Sequence, residues 1–359
     1  MRVTIVGSGA IGGIAGAWMS MAGEDVTFVD INRDHVDHLR TKGLLIDGGR
    51  GDHRLGPQKA FTPDELTDPL ECVFLSVKSQ HTKAAVEGIE HLLTPEGFVV
   101  SLQNGLVNED EIASVVGRER TVGALPDYGG AYVDPGHLEF VIEGPVYAGE
   151  LDGRITPRIK EVCRLLAHVA EAELLTDIKA RIWAKTCFGA QIVASALVDA
   201  PSYLVVGQER ARRVVGPLVR EALEVAYAHR VDVPGGPFFE PQLYFPRTSE
   251  GTRRLYAFMD EAQAKQSAYR RQEHQPGGHK YVKTASGIHW DIVYRRRKSE
   301  VRWSHAPLEE KAREVGVPVP LNSRLHQMIY EFEDGERQLG WHNFDELYDL
   351  ICRLGKALP

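Results

Sequence analysis

Cysteine is scarce and scattered. The 359 residues hold four, Cys72, Cys163, Cys187 and Cys352, with no CxxC pair among them. That spacing fits buried free thiols in a reducing compartment better than a disulfide frame or a zinc site, so no metal is expected. Long hydrophobic runs are missing as well, and none approaches the ~18 apolar residues of a membrane span. The apolar start at Arg2–Val6 breaks into glycines and is soon followed by Glu24 and Asp25, unlike a secretory signal. Blocks of like charge are absent too. The longest basic run, Arg295–Lys298, is four residues in a chain of net charge −8, which argues against nucleic acid or an anionic membrane as a partner. A soluble cytoplasmic protein is expected.

What is present is core-forming material. Hydrophobic residues make up 43% of the chain, and the length suits two domains of roughly 100–200 residues each. Val3–Val6 is a short β-branched run, glycines follow at once, and Ile14, Ala17, Trp18 and Met21 then recur at helical spacing. "EDVTFVD" is a second strand signature, ending on Asp30. Strand, glycine turn, helix and strand make a βαβ unit. Apolar runs at 72–78 and 97–105 continue the alternation, which predicts an α/β fold with a parallel sheet covered by helices. The β-rich, turn-punctuated stretch 120–152 predicts antiparallel strands that finish this sheet. Later segments 178–198, 207–229, 305–315 and 321–334 read as helices. The Pro- and Gly-bearing stretch 234–282 reads as an irregular insertion, a lid or a dimer-contact element. The domains expected are a Rossmann domain over 1–175 and an all-α substrate and dimerisation domain over 176–359.

Gly7-Ser8-Gly9-Ala10-Ile11-Gly12 forms a GxGxxG between a strand and a helix. Gly7 allows the tight turn, Gly9 lets the backbone approach a pyrophosphate, and Gly12 permits close helix–strand packing, while free N–H groups of the turn face the phosphates. Asp30, 23 residues after Gly7, is placed to bind the ribose hydroxyls of NAD and to repel the 2′-phosphate of NADP. Arg33 stands close enough to compensate that charge. Both cofactors stay open, with NAD favoured by Asp30.

The glycine motif, "SVKSQ", "LQNG", "ARIWAKTCFGAQ" and the late "KSEV" stand in an order that resembles the ketopantoate reductase (2-dehydropantoate 2-reductase) family. The resemblance implies an N-terminal Rossmann domain, a helical C-terminal domain like that of 6-phosphogluconate dehydrogenase, and an active site in the cleft between them. It also implies hydride transfer from a nicotinamide cofactor to the keto carbon of ketopantoate or a similar 2-keto acid. By the same resemblance Lys185 is the catalytic lysine and Glu300 holds the substrate and that lysine. Lys78 and Asn104 line the cofactor and substrate, and Ser286 matches a family serine at the substrate; His289, which the family pattern does not supply, is a further candidate substrate contact near Glu300. The chemistry agrees, because reducing a ketone by hydride creates an alkoxide that needs a proton donor.

Departures concern the substrate. Two asparagines usual in the family after its lysine fall here at Gly189 and Val193. The family's serine matches either Ser286 or Gly287, and "GALPDYGGAY" lacks a threonine-rich run. The main expectation is an NAD(P)-dependent reductase of a ketopantoate-like acid, working as a homodimer on a small-molecule substrate. The competing readings are an NAD-dependent dehydrogenase of a different hydroxy acid or hydroxyl compound and a non-catalytic dinucleotide sensor.

Overall fold

The computed structural model describes residues 1–272 and 285–359. It divides into two compact units, Met1–Lys179 and a second beginning at Ala180.

In the first unit the strands are β1 (Val3–Val6), β2 (Val26–Val29), β3 (Leu44–Gly48), β4 (His53–Leu55), β5 (Lys59–Phe61) and β6 (Leu70–Leu75). They continue as β7 (Leu93–Leu102), β8 (Thr121–Pro126), β9 (Gly129–Asp134), β10 (His137–Ile142), β11 (Val146–Glu150) and β12 (Ala172–Leu174). Among the described residues they build an eight-stranded sheet in the order β12-β11-β8-β7-β6-β1-β2-β5 and a separate four-stranded sheet, β4-β3-β10-β9. Helices α1 (Ala10–Met21), α2 (Arg33–Thr41), α3 (Thr82–Ile89), α4 (Asn108–Val116) and α5 (Pro157–Leu166) complete the unit.

Side chains alternate across the large sheet with the period of two that extended backbone imposes. Val3, Ile5, Cys72, Phe74, Phe98 and Val100 share one buried cluster with Ile14 of α1 and Ile159 of α5. Val6, Val73, Leu75 and Val99 share the other with Val86 and Ile89 of α3 and Ile112 of α4. Helices thus cover both faces, as the continuous apolar strands require.

Two expectations need correction here. Residues 120–152 do not all finish the main sheet. β8 runs parallel to β7 and only β11 returns antiparallel beside it, whereas β9 and β10 pair with each other and join β3 in the second sheet. The turn Asp127-Tyr128 ahead of Gly129 and Gly130 redirects the chain, and Gly130 is backed by Ile14 of α1, where a Cβ would lie 2.3 Å from Cδ1. Nor is 234–282 irregular throughout, as its prolines and glycines suggest. Its prolines and glycines cluster at the ends, and the middle forms a 24-residue helix, Ser249–Gln272. Leu255 and Met259, four residues apart, are buried and fix its inner stripe. Residues 273–282 lie outside the described residues.

The second unit is helical. After α6 (Ile178–Ser195) come α7 (Ser202–Val206), α8 (Glu209–Ala228), α9 (Ser249–Gln272), the single turn α10 (Gly287–His289), α11 (Val301–Ser304), α12 (Pro307–Val315), α13 (Pro320–Glu333) and α14 (His342–Arg353). α8 is the central helix, packed against α12, α13 and α14. Its buried Glu221 accepts from the backbone N–H of Asn322 at 2.9 Å, satisfying the start of α13, and pairs with Lys356 at 2.7 Å.

All four cysteines are free, as expected, but they are not all buried: Cys352 is exposed. Among the described residues no helix is long and apolar enough to cross a membrane.

Candidate active site

In the first unit, parallel strands β2, β1, β6 and β7 stand side by side and deliver four loops to one sheet edge. These carry Asp30, the glycine turn, Lys78 and Asn104. β1 connects to β2 on one side and borders β6 on the other, so the turn sits where the strand order reverses, the place where open α/β sheets bind ligands.

Gly7 has φ +92°, and a Cβ there would stand 2.7 Å from the backbone nitrogen of Val77. At Gly12 a Cβ would lie 2.0 Å from Ser76 Oγ and 2.3 Å from the carbonyl oxygen of Gly7. By contrast, a Cβ on Gly9 would meet nothing within 4 Å. α1 begins directly after Gly9 without a side-chain cap, leaving its first N–H groups and its positive end for an anion. The turn is closed where helix and strand meet and open where a pyrophosphate would lie. It fits a dinucleotide.

Ser8 and Asp30 are tied together, with Ser8 Oγ donating to Asp30 Oδ2 at 3.3 Å, and the Asn32 N–H donates to Oδ1 at 3.0 Å. His35, fully buried, braces the turn from behind. Its Nε2–H donates to the Ser8 carbonyl at 3.0 Å, and its Nδ1 accepts from the Gly136 N–H at 2.9 Å. Desolvation holds this imidazole below its ordinary pKa and therefore neutral, matching a ring that must donate on one side and accept on the other. Arg33 is engaged away from Asp30, with Asp64 at 3.6 Å and Glu65 at 3.3 Å.

Lys78 follows β6 and precedes a short 3₁₀ turn, and Asn104 follows β7 with an exposed side chain. A buried polar network holds their loops together. Gln103 Nε2 donates to the Val77 carbonyl and to Thr82 Oγ1, both at 2.8 Å. The Asn104 carbonyl accepts from Ser79 Oγ at 2.9 Å and from Asn108 Nδ2 at 2.8 Å. Gly105, at φ +115°, takes the left-handed conformation in the turn that follows Asn104.

Beside this network lies Glu109, whose carboxyl burial pushes up to about 7, and whose Oε1 has no hydrogen-bond partner. The folded value exceeds the unfolded value near 4.5, so the group is neutral in both states at low pH. As pH rises through this window the unfolded chain ionises first, and stability is lost up to the folded value. Glu109→Gln is expected to stabilise the protein by about 1–3 kcal/mol near pH 8 relative to the wild type, and far less near pH 4. Urea unfolding at both pH values checks this; a gain independent of pH would rule out the carboxyl's ionisation as its source.

In the second unit, half-buried Lys185 sits on α6 among buried Trp183, Ala184, Thr186 and Cys187. Gly189, one turn on, shares its face of the helix. Val193 is fully buried in the core, so neither departure position offers a polar side chain. Glu300 immediately precedes α11 and its carbonyl accepts the Ser304 N–H and Ser304 Oγ, both at 2.9 Å. The adjoining Ser299 donates its N–H at 2.8 Å and its hydroxyl at 2.6 Å to the buried carboxylate of Glu333. Arg302 reaches the same carboxylate at 3.7 Å and lies 3.7 Å over the Tyr330 ring. Sequence reasoning missed Glu333, because nothing in "YEFEDG" distinguishes it from a surface glutamate.

Ser286 and His289 have local tasks. Ser286 Oγ caps α10 by accepting the His289 N–H at 3.2 Å. His289 is 2% exposed, with Nε2 at 3.2 Å from Asp199 Oδ1. The arginines near Glu300 are not a loose basic patch, since Arg295 and Arg297 both pair with buried Asp291 at 3.1 and 2.9 Å.

A Rossmann sheet with an open glycine turn, followed by a helical unit carrying a half-buried lysine, defines a dinucleotide-dependent oxidoreductase. Residues 3–153 match the family described as Ketopantoate reductase PanE/ApbA and residues 177–333 match its C-terminal part, so the chain belongs to the ketopantoate reductase family. It is thereby an NAD(P)-dependent oxidoreductase of the class that interconverts keto acids and hydroxy acids. The 2-dehydropantoate 2-reductase of Pyrococcus abyssi is 26% identical over 341 residues, 92% of this chain and 97% of that protein. That of Archaeoglobus fulgidus is 33% identical over 192 residues, 53% of this chain and 62% of that protein. In fold the chain resembles D-mandelate dehydrogenase, solved with NADH and anilino(oxo)acetate, at 17% identity and a TM-score of 0.75, covering 94% of this chain and 99% of that one.

Proposed function

We propose that the protein is an NAD-linked reductase of a 2-keto acid of the ketopantoate type, with Lys185 as its acid–base group. The observation that carries this reading is the shared face of α6. Lys185 and side-chain-free Gly189 stand on it, and Ser304 ties the backbone of Glu300 to the neighbouring His305. A dihydronicotinamide, when bound, supplies the hydride. Lys185 donates a proton to the keto oxygen as negative charge develops there, and accepts it back in the reverse direction. Glu300 orients the lysine, while Lys78 and Asn104 orient the reacting groups at the sheet edge. Gly7, Ser8, Gly9, Ala10, Ile11 and Gly12 hold the pyrophosphate.

Asp30 supports NAD over NADP. Its carboxylate follows β2 and is bonded to Ser8 of the glycine turn, and Arg33, the cation the sequence offers to neutralise a 2′-phosphate, is already paired with Asp64 and Glu65. The expected kcat/KM with NADH exceeds that with NADPH by about 10–100-fold, the cost of a like-charge contact at a half-exposed carboxylate. Asp30→Ala should narrow the ratio mainly by impairing NADH. Equal or faster rates with NADPH in the wild type would remove the NAD assignment.

A second reading, an NAD-dependent dehydrogenase of another hydroxy acid, is favoured by the absence of polar side chains at Gly189 and Val193. Steady-state rates with ketopantoate and a panel of 2-keto and 2-hydroxy acids separate the two. Turnover of other acids without turnover of ketopantoate selects the second.

A further inference from the structure

We propose that His305 is a specificity-determining residue, whose Nε2 accepts a hydrogen bond from a hydroxyl on the substrate beside Lys185. This rests on the reading of Lys185 given above. Gly189 leaves one turn of the lysine face without a side chain, and His305 fills that room. An ideal Cβ on Gly189 would stand 2.5 Å from His305 Nε2 and 3.1 Å from its Cδ2. The helix therefore needs glycine at this position to admit the imidazole, and the ring presents a polar atom that α6 itself lacks.

The hydrogen bonds set the polarity of that atom. Ser304 Oγ lies 2.9 Å from the Glu300 carbonyl and 2.8 Å from His305 Nδ1. Its single proton goes to the carbonyl, so the oxygen accepts from Nδ1–H, and Nε2 carries the lone pair. Nε2 has no hydrogen-bond partner among the described residues, and the residue as a whole is half-buried. One titratable neighbour bears on the ring: His326, itself bonded to Glu309 at 2.8 Å. Burial, with a smaller contribution from His326, lowers the pKa of His305 to about 3, so the ring stays a neutral acceptor throughout the working range.

An acceptor at that place selects for a donor. The rise along α6 between residues 185 and 189 is about 6 Å. A hydroxyl a few bonds from the keto oxygen at Lys185 can reach Nε2, whereas a hydrocarbon analogue would leave the nitrogen desolvated and unpaired. Ketopantoate and trimethylpyruvate form a suitable pair, because the second is the first without its hydroxyl oxygen.

The test is the ratio of kcat/KM for these two acids, with NADH saturating. The wild type is expected to prefer the hydroxylated acid, mainly through KM. His305→Ala is expected to reduce that ratio about 10–100-fold. Gly189→Ala, whose methyl displaces the ring without removing it, should reduce the ratio similarly. His305→Gln, which keeps an acceptor near the same position, should restore part of it. Failure of the wild type to reduce either acid would overturn the functional reading and this assignment with it. Turnover with an unchanged ratio in both His305→Ala and Gly189→Ala would overturn the role of His305 alone.

Discussion

Lys185→Ala is expected to lower kcat by about 10²–10⁴-fold, the range attributable to one positioned acid–base group. That corresponds to about 3–5 kcal/mol of transition-state stabilisation. The dissociation constant for NADH should stay close to that of the wild type, because the glycine turn and Asp30 belong to the other unit and to other elements. Fluorescence titration of NADH and steady-state rates, taken on the same preparation, check both halves. A dinucleotide sensor makes the opposite prediction, with function intact after the substitution. Lys185→Arg is a sharper control. Guanidinium keeps the charge yet does not release its proton near neutral pH, so retained activity would point to charge stabilisation rather than proton transfer.

The second large effect concerns the turn. Gly12→Ala should abolish measurable cofactor binding and lower stability by about 1–3 kcal/mol, because its Cβ would overlap Ser76 Oγ at 2.0 Å and the Gly7 carbonyl at 2.3 Å. Gly9→Ala separates binding from folding. Nothing within 4 Å opposes a Cβ at that position, so the melting temperature without cofactor should hold while NADH affinity falls at least tenfold. Thermal melts with and without NADH distinguish these outcomes. Parallel losses of stability in both variants would mean that Gly9 serves packing rather than the approach of a ligand.

The nucleotide edge was legible in the sequence for a local reason. Gly7 and Gly12 are required by backbone contacts within one βαβ unit, and Asp30 ends the next strand, so spacing along the chain carries the information. The second sheet was not legible, because β3 and β10 are neighbours in space but nearly ninety residues apart, and short strands of three to six residues carry little periodicity of their own. α9 was hidden by the prolines and glycines that flank it. Its 24 residues are rich in Arg, Ala, Glu and Gln, which favour a helix, but among the side chains described only a thin stripe around Leu255 and Met259 is buried. Gly189 showed in the sequence only as a missing side chain. That a ring from five residues beyond Glu300 occupies the vacancy is a tertiary fact, and no spacing in "RWSHAP" announces it.

His35 has a consequence for how the molecule can be divided. It joins the Ser8 carbonyl to the Gly136 N–H, so the support of the phosphate turn comes from a hairpin about a hundred residues downstream. A fragment ending after β8 would retain every glycine of the motif yet strand one nitrogen of that ring inside the protein. The fingerprint is therefore not a portable cassette. Grafted onto another scaffold, it would bring the shape of the turn without its strut, and Gly136 and its hairpin have to travel with it.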